Sequence, residues 1–238
     1  MHWLERTELL LGPERLDKLV NKNVLVIGLG GVGAIAAEMI CRAGVNKMTI
    51  VDGDVVEESN RNRQLPALVD TTGLPKAHVL EHRFRNINPD IELTVFNEFV
   101  CDERTKELLD SQKYDYVVDA IDTLSPKVFL IHHSLERKLR IVSSMGAGGK
   151  LNPACVQTAD ISKTYNCKLA RMIRKRLGKL GIYKGVKVVF SSELVDAKAV
   201  RREESANKKS TVGTISYMPA VFGCVLASVV INDLLDSE

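Results

Sequence analysis

No two of the five cysteines in this 238-residue chain (Cys41, Cys101, Cys155, Cys167 and Cys224) are spaced as Cys-x-x-Cys. That excludes the paired spacing of a structural four-cysteine zinc site. An odd number of cysteines without a disulfide framework fits a reducing cytoplasm. The start, Met1-His2-Trp3-Leu4-Glu5-Arg6, holds no apolar signal region, which points the same way. There is no internal repeat and no low-complexity tract. Net charge is only +3, so composition alone does not announce a nucleic-acid-binding protein. The mostly apolar, uncharged stretch Ile215 to Ile231 is shorter than the roughly 20 apolar residues of a spanning helix, and Pro219 and Gly223 interrupt it. It is expected to be a buried helix, packed on a sheet or on a partner, and not a transmembrane span. No cysteine stands out as a nucleophile. Cys41 and Cys224 lie in apolar helical patterns and read as buried thiols, and Cys167 falls in a polar turn near basic residues.

What is present begins with Gly28-Leu29-Gly30-Gly31-Val32-Gly33. The apolar run Asn23 to Ile27 ends directly at Gly28 and reads as a buried parallel strand. Small and apolar residues then recur at helical spacing from Val32 to Ala43. Strand, glycine turn and helix are the context that a phosphate-binding loop requires. In such a loop Gly28 allows the tight turn, Gly30 lets backbone approach phosphate, and Gly33 lets helix and strand pack closely. A second strand over 47–51 ends at Asp52, about twenty residues past the glycines, where an acid can accept hydrogen bonds from a ribose.

These features alone would suit a dinucleotide. The residues beyond Asp52 favour a triphosphate. Asp54 adds a second carboxylate, and Asn60, Arg63 and Gln64 cluster in a polar loop before Lys76. Cations and amides beside phosphate can stabilise charge developing on phosphoryl oxygens during attack on the α-phosphorus. Solvated loop charge is the alternative for Arg61, Arg63 and Lys76 individually. A further strand over 115–118 leads through Asp119-Ala120-Ile121 to Asp122, which would project beyond the strand end and could hold Mg²⁺ or cap the next helix. That helix begins near Ser125-Pro126, with Ser125 as the expected N-cap.

Together, the glycine motif, Asp52-x-Asp54, Ser59-Asn60-x-Asn62-Arg63-Gln64, Lys76 and Asp119-Ala120-Ile121-Asp122 resemble the ubiquitin-activating-type adenylyltransferase superfamily. The resemblance implies that Gly28, Gly30, Gly31 and Gly33 line the ATP phosphate loop and that Asp52 holds the ribose. It implies further that Asn60, Arg63, Gln64 and Lys76 contact the triphosphate beside Asp54, and that Asp122 binds Mg²⁺. Arg6 resembles the arginine that homodimers of this superfamily lend to the partner's ATP, although Thr7 stands where an aromatic is common. Ser143-Ser144-Met145-Gly146-Ala147-Gly148-Gly149-Lys150-Leu151-Asn152-Pro153, Asp160-Ile161-Ser162-Lys163-Thr164 with Leu169-Ala170-Arg171, and Val188-Val189-Phe190-Ser191-Ser192-Glu193 are similar to the tRNA threonylcarbamoyladenosine dehydratase subfamily, over about Trp3 to Leu235. This implies adenylation of the threonyl carboxylate on modified tRNA, then ring closure with loss of AMP. It implies ATP and Mg²⁺ as cofactors, no structural zinc, a homodimer, and sulfur-transfer proteins as further partners. Adenylation of a small sulfur-carrier protein and NAD-dependent or non-catalytic nucleotide binding are the alternatives.

Between Lys168 and Leu180 the chain alternates at helical period. Lys168, Arg171, Arg174, Lys175 and Lys179 share one arc, and Leu169, Met172, Ile173, Leu177 and Leu180 the other. The basic arc could follow a tRNA backbone or form an ordinary solvated face. The expected fold is α/β, a doubly wound, mainly parallel, Rossmann-like sheet with strands at 23–27, 47–51, 91–95, 115–118 and 139–143. Additions after Gly149 bring strands near 154–158 and 186–191, the basic helix and the C-terminal helix. The whole of 1–238 is expected to be one domain, with a helical arm over 1–22 and a mobile loop over 199–211, where Lys208 or Lys209 could touch tRNA.

Overall fold

The computed structural model describes residues 3–202 and 210–236. Seven strands form the central sheet: β1 (Asn23–Ile27), β2 (Lys47–Val51), β3 (Glu92–Phe96), β4 (Tyr116–Asp119), β5 (Ile141–Ser144), β6 (Val156–Asp160) and β7 (Lys187–Ser191). Their spatial order is β3-β2-β1-β4-β5-β7-β6. All neighbouring pairs are parallel except β6 with β7. Each begins or ends within about two residues of its expected bounds, most clearly β1, β2, β4, β5 and β7, which are buried, largely apolar runs.

The central strands are apolar on both faces, as a sheet covered on both sides demands. Val24 and Val26 of β1 face one core with Met48, Ile50 and Val118. Leu25 and Ile27 face the other with Val51, Val117 and Val188. The first core is closed by α2 (Pro13–Val20), α3 (Gly33–Arg42), α4 (Lys76–Ile87) and α8 (Tyr217–Leu235). The second is closed by α5 (Asp102–Asp110), α6 (Leu124–Glu136) and α7 (Lys168–Lys179). Helix α1 (Glu5–Leu11) precedes α2 as an N-terminal arm, with Leu9 and Leu10 exposed. The chain turns to opposite edges after β1, so a crevice opens between the carboxyl ends of β1 and β4.

Helix α8 is the uncharged run. Its length and composition would suffice for a membrane crossing, but it packs in the first core, where Met218, Phe222, Leu226 and Val230 are fully buried. At Gly223 a Cβ would come within 2.6 Å of the Val32 carbonyl, so the glycine sets how closely α8 lies on α3. Pro219 is tolerated in the first turn, where an N–H has no intrahelical acceptor. The C-terminal end is tied down by Asp233, which accepts from Tyr116 Oη at 2.6 Å and pairs with Lys187 at 2.6 Å.

Four expectations are corrected. Cys224 is exposed, because α8 turns that side away from α3 and the sheet. Cys167 is buried at the N-cap of α7, where its Sγ accepts from Ala170 N. Thr123, not Ser125, is the N-cap of α6, and Ser125 lies inside the helix, accepting from Arg176. The ends of the 199–211 segment pair as a hairpin of β8 (Val200–Arg202) and β9 (Ser210–Val212). Lys208 and Lys209 lie outside the described residues.

Truncating Phe222→Ala should lower unfolding free energy by about 3–5 kcal/mol in denaturant titrations. A loss below about 1 kcal/mol would contradict the placement of α8 in the core.

Candidate nucleotide site

The glycine loop sits at the crevice. Gly28 has φ +89°, and a Cβ there would stand 2.8 Å from the Ala120 carbonyl at the end of β4. A Cβ at Gly33 would stand 1.7 Å from the Gly28 carbonyl. These two glycines let β1, α3 and the β4 end meet. Gly31 is also a packing position, with Pro219 of α8 at 2.9 Å and the Arg63 carbonyl at 3.1 Å from a built Cβ. Gly30 differs, since a Cβ there meets nothing nearer than Gln64 Nε2 at 3.9 Å. The first turn of α3 carries no side-chain cap, so its amides and dipole favour an anion beside Gly30.

Around this opening the polar residues assemble. Asp52 accepts from Leu29 N at 2.5 Å and from Asp54 N at 2.7 Å, which binds the β2 end to the glycine loop. Burial pushes its carboxyl above the usual range, against those two amides and the nearby Lys76. Lys76, 4% exposed at the start of α4, reaches Asp54 at 2.8 Å. Asn60 is buried and organises the loop after β2. Its Oδ1 accepts from Glu57 N at 3.2 Å, and its carbonyl accepts from Arg63 N and Gln64 N. Arg63 Nη1 donates to Ser59 O at 2.8 Å and to Asn62 Oδ1 at 2.7 Å. Gln64 presents its Nε2 to the open side of Gly30, while its Oε1 is buried without a hydrogen-bond partner. A side-chain amide N–H beside the free backbone amides suits a ligand that only accepts hydrogen bonds.

Asp122 is exposed in the loop after β4, two residues past the Ala120–Gly28 contact. Beneath it the motif residue Asp119 has a partner, Lys127, that no sequence motif singled out. Lys127 and Asp119 are both 0% exposed and pair at 2.9 Å. Burial raises the Asp119 carboxyl, and Lys127 with hydrogen bonds from Ser143, Lys127 and Ile121 opposes that rise. The available signal was a lysine set among the apolar positions of α6. Lys150 is likewise buried, donating to Asn166 O at 3.3 Å and to Glu193 O. Burial holds its ammonium below the usual range. The Glu193 carboxylate accepts from Leu151 N and Asn152 N, so two of the sequence signatures meet here.

Arg6 is exposed on α1. Leu4, just before α1, packs on Gly44 beyond the C-terminal end of α3, so α1 starts at the end of α3 opposite the glycine loop. On α7, Lys168, Arg171, Lys175 and Lys179 are exposed. Arg174 is turned inward, donating to Thr164 O at 2.9 Å and to Thr164 Oγ1. The apolar arc is narrower than expected: Ala170, Ile173 and Leu177 are buried, while Met172 and Leu180 are 40% and 45% exposed. Among the described residues, His132, His133 and Glu136 cluster closely enough to hold a metal. They lie at the far end of α6 from Asp122, and carboxylates of Glu136 and Asp102 already engage both ring nitrogens of His133, at 2.8 and 2.6 Å.

The ThiF family model matches residues 4–237. The chain is 40% identical over 243 residues to the tRNA threonylcarbamoyladenosine dehydratase of Bacillus subtilis, covering 99% of this chain and 95% of that protein. It is 39% identical over 201 residues to the enzyme of that name from Escherichia coli, covering 80% of this chain and 75% of that one. The crystal structure of the E. coli dehydratase TcdA in complex with ATP superposes with a TM-score of 0.89 at 34% identity, over 98% of this chain and 93% of that one.

The glycines separate packing from ligand contact. Gly33→Ala should lose cooperative folding or several degrees of Tm. Gly30→Ala should melt as the parent does yet bind ATP more weakly in calorimetry. Unchanged ATP affinity in Gly30→Ala would remove this face from the site.

Proposed function

The chain belongs to the ThiF family, and from that premise we propose that it activates the threonyl carboxylate of N6-threonylcarbamoyladenosine at position 37 of tRNA. One carboxylate oxygen attacks the α-phosphorus of ATP, forming an acyl-adenylate and releasing pyrophosphate. A nitrogen or oxygen of the same modified side chain then attacks the activated carbonyl and expels AMP. The ring that closes has lost the elements of water, its oxygen leaving on AMP. Nucleophile and carbonyl share one side chain, so proximity drives the second step and no enzyme cysteine is needed. The observation that carries this reading is the open, anion-favouring side of Gly30, with the Gln64 Nε2 donor beside it and Lys76 held nearby by Asp54. Its support is the likeness to the E. coli dehydratase in complex with ATP.

In this reading Gly28 to Gly33 cradle the phosphates and Asp52 holds the ribose. Asn60, Arg63, Gln64 and Lys76 meet the triphosphate, with Asp54 aiming Lys76. Asp122, an exposed hard oxygen donor at the strand end, suits Mg²⁺, which supplies charge neutralisation on the phosphates when bound. The start of α1 at the end of α3 opposite the glycine loop fits a homodimer in which Arg6 of the partner subunit completes the site. The chain works as one domain in the cytoplasm. Lys168, Arg171 and Lys175 of α7 face the tRNA backbone, and Arg174 is left to hold the turn before α7.

ATP–pyrophosphate exchange should be stimulated by tRNA carrying the threonylcarbamoyl group and not by unmodified tRNA or a sulfur-carrier protein. Indifference to the modified tRNA would sink the assignment. Charge reversal at Arg171 and Lys175 should weaken tRNA binding by about tenfold or more and flatten its salt dependence, with ATP affinity unchanged. Equal tRNA affinity in that variant would take α7 out of the interface.

A further inference from the structure

The buried Asp119–Lys127 pair lies outside every role assigned above. Asp119 Oδ1 accepts from Ile121 N at 3.1 Å, and its Oδ2 accepts from Ser143 Oγ of β5 at 2.6 Å and meets Lys127 Nζ at 2.9 Å. Lys127 Nζ donates in turn to the Ile121 carbonyl at 2.8 Å. Both backbone groups of Ile121 are therefore held by one buried ion pair, one residue before Asp122. On its other side, Ala120 N donates to Ile27 O at 2.9 Å, and the Ala120 carbonyl lies against Gly28. The peptide that carries Asp122 is thus clamped from α6, β5 and the glycine loop together.

Stability alone does not account for such a pair. Desolvating two charges offsets most of their attraction, and apolar replacements of similar volume are often neutral or stabilising. Three separate donors satisfy Asp119 and two acceptors satisfy Lys127, a fully connected network that specifies one geometry. The geometry it specifies is that of the loop ending in Asp122.

We propose that Lys127, Asp119 and Ser143 are positioning residues that hold the Ile121–Asp122 backbone for Mg²⁺–ATP. None of the three touches the nucleotide. Each acts through Ile121, so that the Asp122 carboxylate meets the cation without reorganising its loop. The proposal rests on the ATP-dependent reading above, and concerns binding of Mg²⁺–ATP, not tRNA.

The test is isothermal titration of the full-length chain with ATP, with and without Mg²⁺. The variant is the neutral pair Asp119→Asn with Lys127→Met, which keeps volume and leaves no unpaired buried charge. It should unfold cooperatively and bind metal-free ATP within about twofold of the parent. Its Mg²⁺-dependent gain in affinity should fall by about tenfold or more, as expected for a misplaced ligand. Lys127→Arg, which can still reach both acceptors, should retain most of the gain. Ser143→Ala removes one donor without touching the ion pair and should lower the gain by a few fold. It gives the answer on its own if the pair variant does not fold. A full Mg²⁺ gain in the folded pair variant, or in Ser143→Ala when that variant stands alone, would overturn the proposal. A parent chain that binds ATP equally with and without Mg²⁺ would overturn it too, through Asp122, while leaving ATP-dependent chemistry intact. A parent chain that binds no ATP would instead fail the function itself.

Discussion

Everything at the site depends on how closely three backbone segments approach where the sheet reverses its winding. The Gly28 turn, the first turn of α3 and the Ala120 carbonyl occupy a volume with no room for a single Cβ at Gly28 or Gly33. That contact joins the loop after β1 to the loop after β4, so the glycine loop and Asp122 share one rigid base. It also sets α3 where α8 can reach it, and Gly223 and Gly31 repeat the same requirement one layer out. Close approach at glycine thus runs from the centre of the sheet to the C-terminal helix.

On this base the charges are arranged by position more than by number. Asp52 uses both oxygens on backbone amides, so it is a strut between the β2 end and the glycine loop. Lys76 is aimed by Asp54, Lys127 by Asp119, and Lys150 by two carbonyls alone. Three lysines buried at or near strand ends would be costly if each were not hydrogen-bonded. Their common effect is to fix loops that an α/β sheet otherwise leaves mobile. In the proposed reading, a nucleotide entering the crevice would meet donors already oriented, which lowers the ordering cost of binding.

Much of this was legible in the sequence because it is local. Parallel strands buried on both faces read as apolar runs, and a glycine motif between a strand and a helix announces its own geometry. The basic helix was legible in its span but not in its details. Helical periodicity placed Arg174 with the outward cations, while the nearby Thr164 turned it inward, and Met172 and Leu180 were assigned to an apolar face in which only Ala170, Ile173 and Leu177 are fully buried. Cys224 was misplaced for a similar reason: an uncharged helix carries no polar stripe to show which side faces out.

By itself, the sequence determined the strand–loop–helix units, the order of acids and cations around the nucleotide loop, and the absence of cysteine pairs. Each of these is set by residue type and near-neighbour spacing. Only the tertiary structure decided which polar groups answer one another across the chain. Asp119 finds Ser143 on the next strand, Lys150 finds Asn166 and Glu193, and Asn62 finds Thr214. A buried charge must be paired wherever the fold brings a partner, and that depends on the order of strands in the sheet, which no local pattern encodes.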